Sequence, residues 1–112
     1  MEKIIISTKN APAAIGPYSQ GVRIGDMVYT SGQLPINIEN GEMPAGIEAQ
    51  TKQSLENIKS ILEEAGSCMN NVVKTLVFLK DMNDFVKMNE VYSTFFTGKF
   101  PARSAVQVAK LP

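Results

Sequence analysis

No histidine occurs in the 112 residues, so the commonest general base and the commonest metal ligand are both missing. Cysteine is nearly absent as well. A single one, Cys68, excludes an intramolecular disulfide and any multi-cysteine zinc site. Neither sign of charge is in excess: 11 Lys and Arg balance 11 Asp and Glu. No basic block stands out, which argues against a nucleic-acid partner. Long hydrophobic runs are lacking too, and none approaches membrane-spanning length. The opening Met1-Glu2-Lys3-Ile4-Ile5-Ile6-Ser7 is too short in apolar residues for a secretory signal. The expectation is one cytoplasmic domain over residues 1–112, with a modest core and neither a metal nor a membrane to serve.

What is present reads as alternating strands and helices. Lys3 to Ser7 is a first strand, and Asn10 to Gln20 is a loop punctuated by Pro12, Gly16 and Pro17. Val22 to Ile24 and Met27 to Gln33 flank Gly25-Asp26, a hairpin signal. Ile36-Asn37-Ile38 alternates like a short strand before the turn at Asn40-Gly41. From Gly46 onward, Leu55, Ile58, Leu62 and Ala65 recur at helical spacing, with Ile61 widening the stripe and Gly66 as the cap. Val72 to Leu79 is apolar on both faces, as in a strand covered on two sides. A second helix is capped by Asp81 or Asn83 and carries Phe85, Met88, Tyr92, Phe95 and Phe96. Ser104 to Ala109 forms the last strand. The fold class is α/β, a mixed sheet with two helices on one face. Tyr29, Val77, Leu79, Val106 and Val108 leave parts of the other face apolar with nothing in the chain to cover it, which points to an oligomer.

Few residues offer chemistry. Arg103, in Phe100-Pro101-Ala102-Arg103-Ser104, keeps its charge at every working pH, and its guanidinium fork matches a carboxylate. It reads either as a carboxylate clamp at the mouth of the last strand or as a surface arginine in an inter-subunit ion pair, the commoner lot of arginines. Tyr18, in Gly16-Pro17-Tyr18-Ser19-Gln20, either donates a hydrogen bond to a ligand or packs across the sheet end. Ser31, in Tyr29-Thr30-Ser31-Gly32-Gln33, has no histidine to activate it, so a hydrolase triad is excluded. It serves a substrate or water, or else satisfies backbone at a strand end. Asn89 faces either a site at the helix edge or solvent. Cys68, in a loop after Gly66, has no motif around it that marks a nucleophile. Glu56, Glu63 and Glu64 fit a solvated helix face, and no catalytic carboxylate pair is evident.

These strings resemble the RidA/YjgF family of imine and enamine deaminases, also called the endoribonuclease L-PSP family. The likeness continues through Gln50, Thr51 and Asn57, through Asn89-Glu90-Val91-Tyr92 with Phe95-Phe96, and through Pro101 to Pro112. The resemblance implies a chorismate-mutase-like fold, a homotrimer with sites between subunits, and no cofactor. It implies hydrolysis of 2-imino acids and their enamine tautomers, such as 2-aminoacrylate or 2-iminobutyrate, to 2-keto acids and ammonia. Arg103 and Tyr18 would then be catalytic, with Arg103 clamping the carboxylate, while Tyr18, Ser31, Asn89 and the backbone at Ala105 line the pocket. An imine already holds an electrophilic carbon, so a site without histidine or metal suffices. Relatives continue past Leu-Pro with a strand whose glutamate orients the attacking water, and that strand is expected to be missing from residues 1–112. Two other readings stand beside the enzyme. One is a non-catalytic, metabolite-binding regulatory trimer using the same cleft. The other is a ribonuclease, which the neutral charge disfavours.

Overall fold

A computed structural model describes residues 1–112. The elements run β1 (Lys3–Ile6), β2 (Gly21–Ile24), β3 (Met27–Thr30), α1 (Ile47–Glu64), β4 (Lys74–Leu79), α2 (Phe85–Ser93) and β5 (Ala102–Gln107), with 3-10 turns at Met69–Asn71 and Met82–Asp84. The mixed α/β class with two helices holds, and its strands divide between two sheets. β1, β2 and β3 form an antiparallel meander in which Ile6 faces Gly21 and Gly21 faces Thr30. β4 and β5 pair in parallel from Lys74↔Ala102 to Leu79↔Gln107. A parallel pair needs a crossover rather than a tight turn, and α2 supplies it.

Three expectations shift. Ile36-Asn37-Ile38 is not a strand. Asn57, fully buried on α1, donates from Nδ2 to the carbonyls of Leu34 (3.1 Å) and Ile36 (3.0 Å). A helix side chain thus takes backbone acceptors that a neighbouring strand would otherwise use. The last strand begins at Ala102 rather than Ser104, because its ladder with β4 starts at Lys74↔Ala102. Arg103 therefore sits within β5, where its direction is set by the pleat. Phe95 and Phe96 lie beyond the last residue of α2, yet Phe96 remains buried and stacks on Tyr92 at 5.0 Å between ring centroids.

α1 joins the two sheets. Leu62 enters the main core with Met69, Leu79, Met88, Tyr92 and Phe96, while the adjacent Ile61 packs with Ile6 and Ala11 under the first sheet. The helix ends as Gly66 takes φ 83°, a left-handed conformation that closes a C-terminal cap without a Cβ clash. No helix is long and apolar enough to cross a membrane.

Gly21 marks a close approach between β2 and α1. A Cβ built there falls 2.9 Å from Cγ2 of Ile61 and 3.2 Å from the carbonyl oxygen of Tyr29. Ile61 is wholly buried and branched at Cβ, so its methyl has nowhere to swing. Gly21→Ala is expected to destabilise the fold by about 1–3 kcal/mol. Urea unfolding reads this directly, and an unchanged midpoint would show that α1 can lift off the sheet at no cost.

Candidate active site

Alternation along β5 turns Arg103 and Ala105 toward the helix layer and leaves Ser104 and Val106 exposed on the opposite face. Above Arg103 lies α2, whose Phe85, Asn89 and Tyr92 recur at i, i+4 and i+7 and so share one helical face. Asn89 Oδ1 accepts a hydrogen bond of 2.7 Å from Arg103 Nη1. The guanidinium carbon lies 4.8 Å from the ring centroid of Tyr92 and 5.3 Å from that of Phe85, within cation–π range of both. Arg103 is thus half-buried among two aromatic faces and one amide, all neutral. No carboxylate of the chain pairs with it. Of its five N–H groups, one is engaged by Asn89, which leaves most of the fork free for a planar anion.

The backbone beside it adds further donors. Ala102 and Val108 donate their amides to the carbonyls of Val73 (3.1 Å) and Leu79 (3.0 Å). Even-numbered residues of β5 therefore face β4. By the same alternation, the amides of Arg103 and Ala105 face the open edge of the strand. Arg103 thus contributes a charge on the helix side of β5 and, with Ala105, fixed N–H dipoles along its open edge, groups that favour a small carboxylate.

Tyr18 and Ser31 belong to the other sheet. Gln20, buried at the start of β2, accepts from the amide of Thr8 (2.6 Å) and donates to the carbonyls of Thr8 (3.1 Å), Ala11 (3.2 Å) and Pro12 (2.8 Å). Ser31 donates its hydroxyl to the carbonyl of Ser19 (2.6 Å) and its amide to that of Gln20 (2.9 Å). The loop between these anchors projects outward, leaving Ile15 93% and Tyr18 52% exposed. The Ser31 hydroxyl proton goes to backbone, so what it offers a ligand is its acceptor capacity. No hydrogen bond or ring contact within the chain joins Tyr18 or Ser31 to Arg103. The structure brings Arg103, Asn89 and Ala105 together and places Tyr18 and Ser31 in a second group.

Reading the residues alone assigned Tyr92 and Phe85 to the apolar stripe of the second helix and placed Thr75 within the strand from Val72 to Leu79. All three belong to the Arg103 environment, since Tyr92 OH lies 2.6 Å from Thr75 Oγ1. The signal available beforehand was the i, i+4, i+7 spacing of Phe85, Asn89 and Tyr92. Cys68 is exposed, and no group of three Cys, Asp or Glu side chains gathers to hold a metal.

The chain as a whole is similar to known proteins. The model of the endoribonuclease L-PSP family matches residues 8–112. A 2-iminobutanoate/2-iminopropanoate deaminase of Escherichia coli is 56% identical over 110 residues, spanning 96% of this chain and 86% of that protein. A RutC family protein of Pyrococcus abyssi is 55% identical over 113 residues, with 100% and 89% coverage. Among solved structures, the YjgF gene product of E. coli superposes with a TM-score of 0.95 at 55% identity, covering 97% of this chain and 88% of that one. E. coli TdcF with bound serine superposes with a TM-score of 0.94 at 49% identity, with 97% and 88% coverage. The match extends from the segment before the Tyr18 loop through β5, and the chain belongs to the endoribonuclease L-PSP family, also known as the RidA/YjgF family.

Proposed function

We propose that this chain is a cofactor-independent deaminase that hydrolyses 2-imino acids and their enamine tautomers to 2-keto acids and ammonia. The observation that carries the reading is Arg103, a half-buried fork held only by neutral partners beside two outward-facing amides. A half-buried cation without an internal counter-ion favours an anionic ligand. Relatives named 2-iminobutanoate/2-iminopropanoate deaminase share more than half of their aligned residues with it, and a related structure carries serine, itself an α-carboxylate.

Arg103 grips the carboxylate through two N–H groups, and the amide at Ala105 supports it at the strand edge. The adjacent C=N carbon is then held in one place. Water adds to that carbon, the nitrogen gains a proton, the C–N bond breaks, and ammonia leaves behind a keto group. The iminium form is the better electrophile, so the site mainly positions the reactants rather than activating a nucleophile. Tyr18 and Ser31 line the pocket from a neighbouring copy in a homotrimer, since they stand apart from Arg103 within one chain. Two features support assembly. Leu76, Phe78 and Val106 are exposed on the sheet face away from the helices. The accessible surface, 7587 Å², also exceeds the roughly 6,100 Å² expected for a compact monomer of this mass.

The test is release of ammonia from freshly generated 2-iminobutanoate with and without the protein. Acceleration that saturates with substrate is expected. A rate equal to spontaneous hydrolysis would leave a binding protein in place of an enzyme.

A further inference from the structure

We propose that Tyr92, braced by Thr75, is a positioning residue that sets the orientation of the Arg103 guanidinium before any ligand arrives. The proposal rests on the reading of Arg103 as a carboxylate clamp, and it concerns a part of the site that does not touch the ligand.

Three observations meet at Tyr92. Its ring lies beneath the guanidinium, with 4.8 Å between the arginine Cζ and the ring centroid. Its hydroxyl lies 2.6 Å from Thr75 Oγ1. It is 6% exposed and stacked on Phe96, so the ring has no alternative place to go. Thr75 is the register partner of Arg103 on β4. The brace and the guanidinium therefore rise from adjacent strands at the same level, with the Tyr92 ring from α2 closing the triangle. A hydroxyl pair this short, between a buried ring and a strand, fixes the ring face on which the guanidinium lies. Asn89 then fixes rotation in the plane by taking Nη1.

The chemical need is clear. An arginine side chain has four rotatable bonds and loses considerable entropy when it is held. A clamp ordered in advance does not charge that cost to the substrate. Phe85 contributes a second face, but it has no hydroxyl with which to be tied. Tyr92 is the member of the pair whose position depends on a specific bond.

The test uses Tyr92→Phe and Thr75→Val, both close in shape to the originals. The chain has only two arginines, Arg23 and Arg103. Nitrogen-15 relaxation of the two Nε–H groups therefore reports on Arg103 with a single other signal to separate, that of the exposed Arg23, whose Nε donates to the carbonyl of Gly25 (3.2 Å). The wild type should show an ordered Arg103 Nε, and each variant should lower its order while leaving that of Arg23 unchanged. The dissociation constant for 2-oxobutanoate, the stable keto acid product, should rise about fivefold in either variant, the equivalent of one net hydrogen bond. The double variant should be no worse than either single one. In an Arg103→Lys background, Tyr92→Phe should leave the dissociation constant unchanged, because the planar group it orients is gone. Equal Arg103 order in the wild type and both variants would overturn the proposal, as would the same fivefold loss in the Arg103→Lys background. If the wild type neither binds 2-oxobutanoate nor hydrolyses the imine, the deaminase reading fails instead. The relaxation measurement still decides whether Tyr92 orients Arg103.

Discussion

Arg103→Lys is expected to lower kcat/KM for 2-iminobutanoate by roughly 10- to 100-fold while leaving the fold intact. The figure corresponds to losing charge-assisted hydrogen bonding worth about 1.5–3 kcal/mol. Lysine keeps the positive charge and much of the aliphatic stem, so Coulomb attraction survives. It cannot form two parallel N–H bonds to one carboxylate, nor lie flat between Phe85 and Tyr92. It also releases Asn89, whose Oδ1 is matched to Nη1 at 2.7 Å. The loss should fall on productive geometry more than on simple attraction, which predicts a fall in kcat as well as a rise in KM. Thermal unfolding separates this outcome from misfolding. A folded Arg103→Lys variant with near-wild-type turnover would remove Arg103 from the centre of the mechanism.

Phe78→Asp is expected to convert a three-chain assembly into single chains and to abolish turnover at micromolar protein. Phe78 pairs in register with Val106, and both side chains are exposed on the sheet face away from the helices, with Leu76 beside them. Placing a carboxylate there costs nothing in an isolated chain, since the position already meets solvent. At a dry interface the same charge costs several kcal/mol, and a symmetric trimer places it at three equivalent positions. Light scattering reads the mass, and the imine assay reads the consequence for the site. Wild-type protein of single-chain mass at micromolar concentration would refute the trimer. A single-chain Phe78→Asp variant that retains full activity would show that Arg103 needs nothing from a neighbour, and the role of Tyr18 and Ser31 would fall.

Both expectations rest on features of unequal legibility. The two helices were readable because a 3.6-residue apolar period and a terminal glycine are local signals. α1 ends beside Gly66 with φ 83°, as its sequence implies. The hairpin at Gly25-Asp26 was readable for the same reason. The alternation at Ile36-Asn37-Ile38 misled, because what decides a strand is a partner. The Ile36 carbonyl went to Asn57, a residue 21 positions away whose burial no local pattern announces, and the Asn37 carbonyl to the amide of Gly41 in the following turn.

Residue identity and order alone determined that the chemistry must work without histidine, that the guanidinium fork of Arg103 matches a carboxylate, and that the chain resembles an imine deaminase family. These follow from which functional groups exist and which strings recur, and neither depends on coordinates. Only the tertiary structure decided how Arg103 is held. The pleat of β5 points it at α2, parallel pairing with β4 sets Thr75 beside it, and the helical repeat delivers Phe85, Asn89 and Tyr92 to one spot. Such convergence joins Arg103 to residues 11 to 28 positions away, and distance along a chain carries no record of distance in space until the chain has folded.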